Sequence, residues 1–167
     1  MKRWRRGEQG WTYVELVVAI TLSTVILLSL AKIAMLMIDA HEVETMARGM
    51  RGEASEASYR FSREVRSVQD DTSVLVASSQ EFRFIDVNGR NIRYWLSGTN
   101  LQRNADTLVE QVTGLTMTYY DVNSVAIVTP VVSPSATNIR SVRMVLTVTR
   151  NGESFNVQTQ AKLRNVQ

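Results

Sequence analysis

The 167-residue sequence contains no cysteine, two prolines and a single histidine. The absence of cysteine excludes a disulfide framework, a thiolate zinc site and a cysteine nucleophile. A Ser-His-Asp triad or a multi-histidine metal site would have to be built around His41, which we interpret as a solvated surface residue. Glycine-rich phosphate-binding motifs are absent from the sequence. Asp70 and Asp71 lack the spacing of a calcium loop and are interpreted as a helix-ending signal. We therefore expect no enzymatic activity, no cofactor and no metal site.

An excess of positive charge is found only at the N-terminus. Residues 1–8 carry four basic and one acidic side chain, which account for the whole net charge of +3. Residues 9–167 carry fifteen basic and fifteen acidic side chains. Binding of a phosphate backbone needs a basic face, so the charge distribution indicates no nucleic-acid partner. Cations directly before an apolar run are typical of the cytoplasmic side of a membrane segment, and we expect the rest of the chain to lie outside the cytoplasm.

The apolar run that follows contains one carboxylate near its start. Residues 16–31 are uncharged, and apolar residues resume after Lys32 and continue to Ile38. As a helix, residues 14–38 would extend about 37 Å, enough to cross a bilayer core of about 30 Å. A charged side chain inside a bilayer costs roughly 2.5 to 3.5 kcal/mol, so Glu15 is expected to have a function or a partner.

Three interpretations of this segment compete. A secretory signal peptide, cleaved after the small residues 29–31, leaves Glu15 unexplained and places the apolar run 33–38 at a new N-terminus. A plain signal anchor tolerates one carboxylate near an interface but gives it no purpose. The third interpretation uses the basic leader, the glycine, the aromatic residue, the glutamate and the apolar run together.

Gly10, Trp11, Thr12 and Glu15 stand at fixed spacing in front of the apolar run. This arrangement resembles the N-terminal processing motif of type IV prepilins and of the pseudopilins of type II secretion systems. The resemblance implies that a prepilin peptidase cuts between Gly10 and Trp11 and methylates the new α-amine of Trp11. It also implies that Glu15 pairs with the N-terminal amine of a neighbouring subunit and sets the axial register, because a buried charge is tolerable only when paired. Lys32 stands where major pilins commonly carry a helix-bending proline, which argues against a major pilin.

The sequence after Ile38 predicts a helix with one buried face. No proline occurs before Pro130, so the helix can continue from Trp11 to Val68, and Gly49 and Gly52 mark the position where a bend is easiest. The charged residues on the other faces carry both signs, and we interpret these faces as solvated. The apolar residues of the predicted buried face recur every three or four positions: Met37, Ala40, Val43, Ala47, Met50, Ala54, Ala57, Phe61, Val65 and Val68.

From Ser73 onward the apolar period becomes two, which predicts β-strands. Asn88-Gly89 and Asn151-Gly152 each separate two alternating segments and predict β-hairpins. Further strands are predicted at 115–120 and 125–128, with an exposed loop at 130–137. The predicted fold class is α+β: a long N-terminal helical spine, its first part transmembrane, packed on a C-terminal antiparallel sheet. The order of elements resembles the J-type minor pseudopilins and the related PilW-type minor pilins.

These patterns predict four regions: a basic leader at 1–10, a transmembrane and assembly segment at 11–38, an amphipathic helical segment at 39–69 and a β-rich extracytoplasmic domain at 70–167. The resemblance implies a minor subunit of a filament tip in the inner membrane, with a cytoplasmic N-terminus and a periplasmic domain. Implied partners are other minor pseudopilins or pilins in a hetero-oligomeric tip, the prepilin peptidase, the membrane and possible secreted cargo. The alternative is a signal-anchored extracytoplasmic binding or sensor domain that does not polymerise.

Overall fold

A computed structural model describes residues 12–134 and 139–164, except for the side chains of residues 42 and 71. Gly10, Trp11 and residues 135–138 of the predicted loop lie outside the described residues. The chain divides into two compact units, Met1–Thr45 and Met46–Gln167. The fold is α+β, as predicted: one long N-terminal helix packs on antiparallel β-sheets in the C-terminal part.

The helix α1 spans Tyr13–Val65 and continues through both glycines of the predicted bend. It ends three residues before Val68, so the predicted end was too late. The main chain turns here: the N–H of Ser67 donates to the carbonyl of Glu64, and Val68 then forms an isolated β-bridge with Asp86. Pairing with the sheet therefore replaces the last helical turn, although Val68 remains fully buried as predicted.

In the described part of the chain, nine strands follow a short 3-10 helix at Asp71–Ser73. They are β1 (Val74–Ala77), β2 (Glu81–Ile85), β3 (Asn91–Ser97), β4 (Asn100–Arg103), β5 (Asp106–Val109), β6 (Val112–Tyr120), β7 (Ala126–Ile127), β8 (Ser141–Arg150) and β9 (Glu153–Lys162). One sheet has the order β1-β2-β3-β4-β5 and the other the order β7-β6-β8-β9. All strand pairs are antiparallel.

Both predicted hairpins are present. β2 and β3 flank Gly89, whose φ is +74°, and β8 and β9 flank Asn151 and Gly152, whose φ values are +50° and +83°. At Asn151-Gly152 both central residues have the positive φ that a tight two-residue hairpin turn requires. The connection between β2 and β3 is longer than the predicted tight turn: the N–H of Asp86 donates to the carbonyl of Arg90, and of the three residues between them Gly89 alone has a positive φ. β4 and β5 were not predicted, because each has only four residues and too little alternation to form a pattern.

One core joins the helix and the sheets. The ring of Phe61 on α1 lies 5.1 Å from that of Tyr94 and 6.3 Å from that of Phe82, measured between centroids. The hydroxyl of Tyr119 in the second sheet donates to the carbonyl of Ser78, next to the first sheet, at 2.8 Å. The buried apolar residues of α1 are Met50, Ala54, Ala57, Phe61 and Val65.

The predicted buried face of α1 is confirmed from Met50 onward but not before it. Ala47 is half-buried, whereas Met37, Ala40 and Val43 are exposed. These three side chains instead continue the exposed apolar surface of the preceding segment.

Candidate functional site at the start of the helix

Of the predicted site residues, Glu15 is described, and it lies in the first turn of α1 with Thr12 as its partner. The backbone N–H of Thr12 donates to Oε2 of Glu15 at 2.8 Å, and the Thr12 hydroxyl donates to the same oxygen at 3.1 Å. The N–H of Glu15 donates in return to Oγ1 of Thr12 at 3.3 Å. This reciprocal arrangement is a capping box, which satisfies two N–H groups at the helix start.

The sequence signal for the capping box is Thr-x-x-Glu in front of an apolar run. The prediction for Glu15 considered only a partner on another subunit and missed this local one. The negative charge also lies at the positive end of the helix dipole, which favours it. Within the described residues, Oε1 of Glu15 accepts no hydrogen bond, because both donors of Thr12 use Oε2. The carboxylate is thus held in place and keeps one oxygen available.

The surface of α1 next to Glu15 is apolar on all sides. Every large apolar side chain from Tyr13 to Ile38 is exposed, from 41% for Val17 to 81% for Tyr13. An exposed apolar surface of this extent indicates contact with lipid or with other proteins. Within the part of the chain that the structure describes, α1 is the one helix long and apolar enough to cross a membrane.

Three hydroxyl groups within this segment are satisfied by the helix itself. The hydroxyl of Thr24 donates to the carbonyl of Ile20 at 2.8 Å, and that of Ser29 donates to the carbonyl of Val25 at 2.8 Å. Thr21 makes the same kind of bond. A bilayer core offers no water to such donors, so internal bonds of this kind are what a lipid-facing helix needs.

A charged network in the second unit holds α1 against the first sheet. The hydroxyl of Tyr94 donates to Oε2 of Glu64 at 2.7 Å, and Nε of Arg103 donates to Oε2 at 2.8 Å and to Oε1 at 3.1 Å. Arg60 approaches Oε1 at 3.4 Å. The side chains of Glu64 and Arg103 are only 12% and 13% exposed. The interpretation of these helix faces as solvated is therefore wrong at Glu64, which reaches inward to the end of the sheet.

The network keeps Glu64 ionised. Burial alone would raise its pKa, but the hydrogen bonds from Arg103 and Tyr94 outweigh burial and hold the pKa below its ordinary value. Burial, and then the neighbouring carboxylate, raise the pKa of the Tyr94 hydroxyl. A second ion pair joins Glu53 of the helix to Arg150 at the end of β8, with NH1 of Arg150 3.2 Å from Oε1 of Glu53. Each sheet is thus tied to the helix by one ion pair.

The exposed face of α1 carries an aromatic and basic cleft of about 420 Å³, lined by Tyr59, Ser62, Arg63, Arg66, Ser67 and Arg164. Tyr59 is 70% exposed. Among the described residues, none of the three arginines of the cleft forms an ion pair with a carboxylate. Tyrosine and arginine are enriched in protein interfaces, so we regard this cleft as a candidate contact surface.

Metal-binding and catalytic groupings were searched for in the described residues. No set of three or more His, Asp or Glu side chains there is arranged to hold a metal ion, and His41 is exposed. Asp70 begins the 3-10 helix rather than ending α1, which stops at Val65. Its Oδ1 accepts bonds from Ser73 and Thr72, which lower the pKa of the carboxyl.

No protein-family model matches the chain, and no curated protein matches it. The structure itself offers three functional features: the capped carboxylate of Glu15, the exposed apolar surface of α1, and the ion pairs and cleft of the second unit.

Proposed function

We propose that this chain is a minor pseudopilin or minor pilin, a structural subunit of the tip of a pilus-like filament in type II secretion or type IV pilus assembly. Cleavage after Gly10 and N-methylation of Trp11 would prepare it for assembly. The observation that carries the proposal is Glu15: a carboxylate that uses one oxygen, Oε2, for its described hydrogen bonds, placed five residues after Gly10 at the head of a helix whose surface suits lipid.

The capping box gives the carboxylate a partner while the subunit is alone in the membrane. Thr12 satisfies Oε2 of Glu15, which reduces the cost of a charge near the bilayer. Oε1 can then accept a hydrogen bond from the N-terminal amine of a neighbouring subunit. Because an ion pair in a low-dielectric environment is tolerated only with good geometry, this contact selects one axial register between neighbouring helices.

The proposed partners are other minor pseudopilins or pilins in a hetero-oligomeric tip, together with the prepilin peptidase and possible secreted cargo. The proposed location is the inner membrane, with a cytoplasmic N-terminus and a periplasmic C-terminal domain. The exposed Tyr59 and the arginines beside it form the described surface best suited to a protein contact. No catalytic step is assigned to the chain.

A second candidate function is a signal-anchored extracytoplasmic binding or sensor domain that does not polymerise. The observation that favours it is the capping box itself, because a cap gives Glu15 a local purpose without any neighbouring subunit. The two candidates differ in whether the charge of Glu15 or only its hydrogen bonds matter.

Two single substitutions separate charge from capping. Glu15→Gln removes the charge but can still close a capping box, whereas Thr12→Ala keeps the charge and weakens the cap by about 1 kcal/mol. Each full-length variant would be produced with candidate minor pilin partners, and membrane insertion and co-isolation with those partners would be measured.

The filament proposal expects Glu15→Gln to insert normally and lose co-isolation, and Thr12→Ala to retain it. Normal co-isolation of Glu15→Gln, or an equal loss in both variants, would support the local cap and contradict the filament role.

A further inference from the structure

The four outer strands of the two sheets differ sharply in length. β1 and β5 have four residues each, β7 has two, and β9 has ten. The pairings of β1 with β2 and of β4 with β5 also contain register shifts, whereas β9 pairs with β8 through ten consecutive residues without one. Three outer strands are thus short, and two of these have irregular pairing. β9 is a long, regular edge.

Between its charged end residues, Glu153 and Lys162, β9 lacks the chemical features that usually block edge pairing. Natural edge strands commonly carry charged residues, proline or a bulge that prevents another strand from adding. Residues 154–161 contain no charged residue and no proline, and the continuous register excludes a bulge. An exposed edge of this kind is a template for another strand.

The turn that leads into β9 determines which backbone groups face outward. The two-residue turn at Asn151-Gly152 makes Arg150 and Glu153 the first hydrogen-bonded pair of the hairpin. Starting at Glu153, every second residue of β9 forms backbone hydrogen bonds with β8, and the residues between them direct their N–H and C=O groups away from the sheet. The outward set is Ser154, Asn156, Gln158, Gln160 and Lys162. No described residue forms a backbone hydrogen bond with this outer edge.

We infer that β9 pairs antiparallel with β9 of a second copy of this chain, about a two-fold axis at Gln158. Gln158 then faces its own copy, Asn156 faces Gln160, and Ser154 faces Lys162. The outward residues form five pairs, and each pair exchanges two hydrogen bonds, giving about ten. The two neighbouring two-fold registers, centred on Val157 and on Thr159, form only four such pairs each.

The side chains of this register are compatible with self-pairing. Glu153 lies opposite Leu163, so no acidic side chain opposes another, and Lys162 lies opposite an uncharged serine. On the face that α1 covers, where Arg51 stacks 5.8 Å above the ring of Phe155, Phe155 lies opposite Ala161. Like charges directly opposite would weaken a strand pair, and this register has none. Because all five outward residues find partners in this register and no like charges oppose each other, the occupant that we infer is a second copy of the strand.

Pairing of this kind would join the four-stranded sheet of one copy to the four-stranded sheet of the other and form one sheet of eight strands, a number within the range of natural sheets. The inference concerns the second unit alone and does not rest on the filament proposal. A filament subunit and a signal-anchored domain could both form the pair.

Cysteine cross-linking tests the register directly, because the chain has no cysteine of its own. Hydrogen-bonded antiparallel partners lie about 5.5 Å apart at Cα, within disulfide range, so Gln158→Cys in the full chain should cross-link to its copy in membranes under mild oxidation. The matched control is Thr116→Cys, equally exposed but on β6, two strands from the edge. In the inferred dimer, the two residues at position 116 would lie five strand spacings apart, about 24 Å.

A disulfide dimer with Gln158→Cys and none with Thr116→Cys supports the pairing. Equal cross-linking of both variants, or none with Gln158→Cys, overturns it.

Charge substitution provides a second test that does not depend on disulfide geometry. Gln158 is exposed, so Gln158→Lys and Gln158→Glu should leave the near-UV circular dichroism of the full chain in detergent unchanged. Each variant alone places like charges at the axis and should weaken dimerisation about fivefold, measured by light scattering across a concentration series. A mixture of the two variants should restore dimerisation. A dimer equally stable in all samples, or a monomeric wild-type chain, contradicts the inference.

Discussion

The strongest stability prediction concerns the ion pair between Glu64 and Arg103. Arg103→Met removes the closest cationic partner of a carboxylate that is only 12% exposed and leaves Arg60 at 3.4 Å. Breaking a buried pair on one side typically costs about 3 to 5 kcal/mol, and the remaining bonds from Tyr94 and Arg60 place the expected loss near the lower value. For a unit of this size, a loss of about 3 kcal/mol lowers the melting temperature by about 10 °C.

The companion variant shows whether the buried charge of Glu64 is the cause. Adding Glu64→Gln to Arg103→Met removes the buried charge and keeps an acceptor for the Tyr94 hydroxyl, so most of the loss should be recovered. The assay is thermal unfolding of the full chain in detergent, followed by near-UV circular dichroism. If Arg103→Met costs less than about 1 kcal/mol, or if the double variant is no more stable than the single one, then the reasoning about this network is wrong.

Three further predictions can be tested by the same unfolding assay. The pKa of Glu64 is lower in the folded chain than in the unfolded chain, so its contribution to stability is complete above the unfolded pKa and is lost as the pH falls through the folded pKa. The melting temperature of Arg103→Met should therefore fall less on acidification than that of the wild type, and parallel curves for the two proteins would contradict this. Phe61→Ala should cost about 3 to 5 kcal/mol because its ring is fully buried, whereas exposed Tyr59→Ala should change stability by less than about 0.5 kcal/mol, and similar costs would refute the assigned core. Gly152→Ala should destabilise the folded chain by about 1 kcal/mol or more, because the φ of Gly152 is +83°. Gly49→Ala should stabilise it by up to about 1 kcal/mol, because Gly49 lies in a helix with open space around it. Equal effects of the two substitutions would argue against the turn geometry.

Local patterns predicted much of the fold. The two Asn-Gly pairs and the period-two segments beside them predicted both hairpins, because turn preference and alternation are properties of a few consecutive residues. The predicted two-residue turn is present at Asn151-Gly152, whereas the connection around Asn88-Gly89 is longer. The stripe from Met50 to Val65 predicted the buried face of α1 for the same reason.

Long-range contacts could not be predicted in this way. Glu64 and Arg103 are 39 residues apart, and nothing in the helical pattern distinguishes Glu64 from its solvated neighbours. The end of α1 depends on the bridge between Val68 and Asp86, which is also a tertiary contact. The capping box at Thr12 was readable from the sequence, and it became evident only with its geometry.

The most direct test of the filament proposal is the chemical identity of the N-terminus. The full chain would be produced in membranes with and without a prepilin peptidase, and its intact mass and N-terminal residue would be determined. The filament proposal predicts that the peptidase yields a chain beginning at methylated Trp11, and that without the peptidase the chain keeps its leader and begins at Met1. A chain that begins at Met1, or after Ala31, in both preparations would contradict the account and leave Glu15 as a helix cap alone.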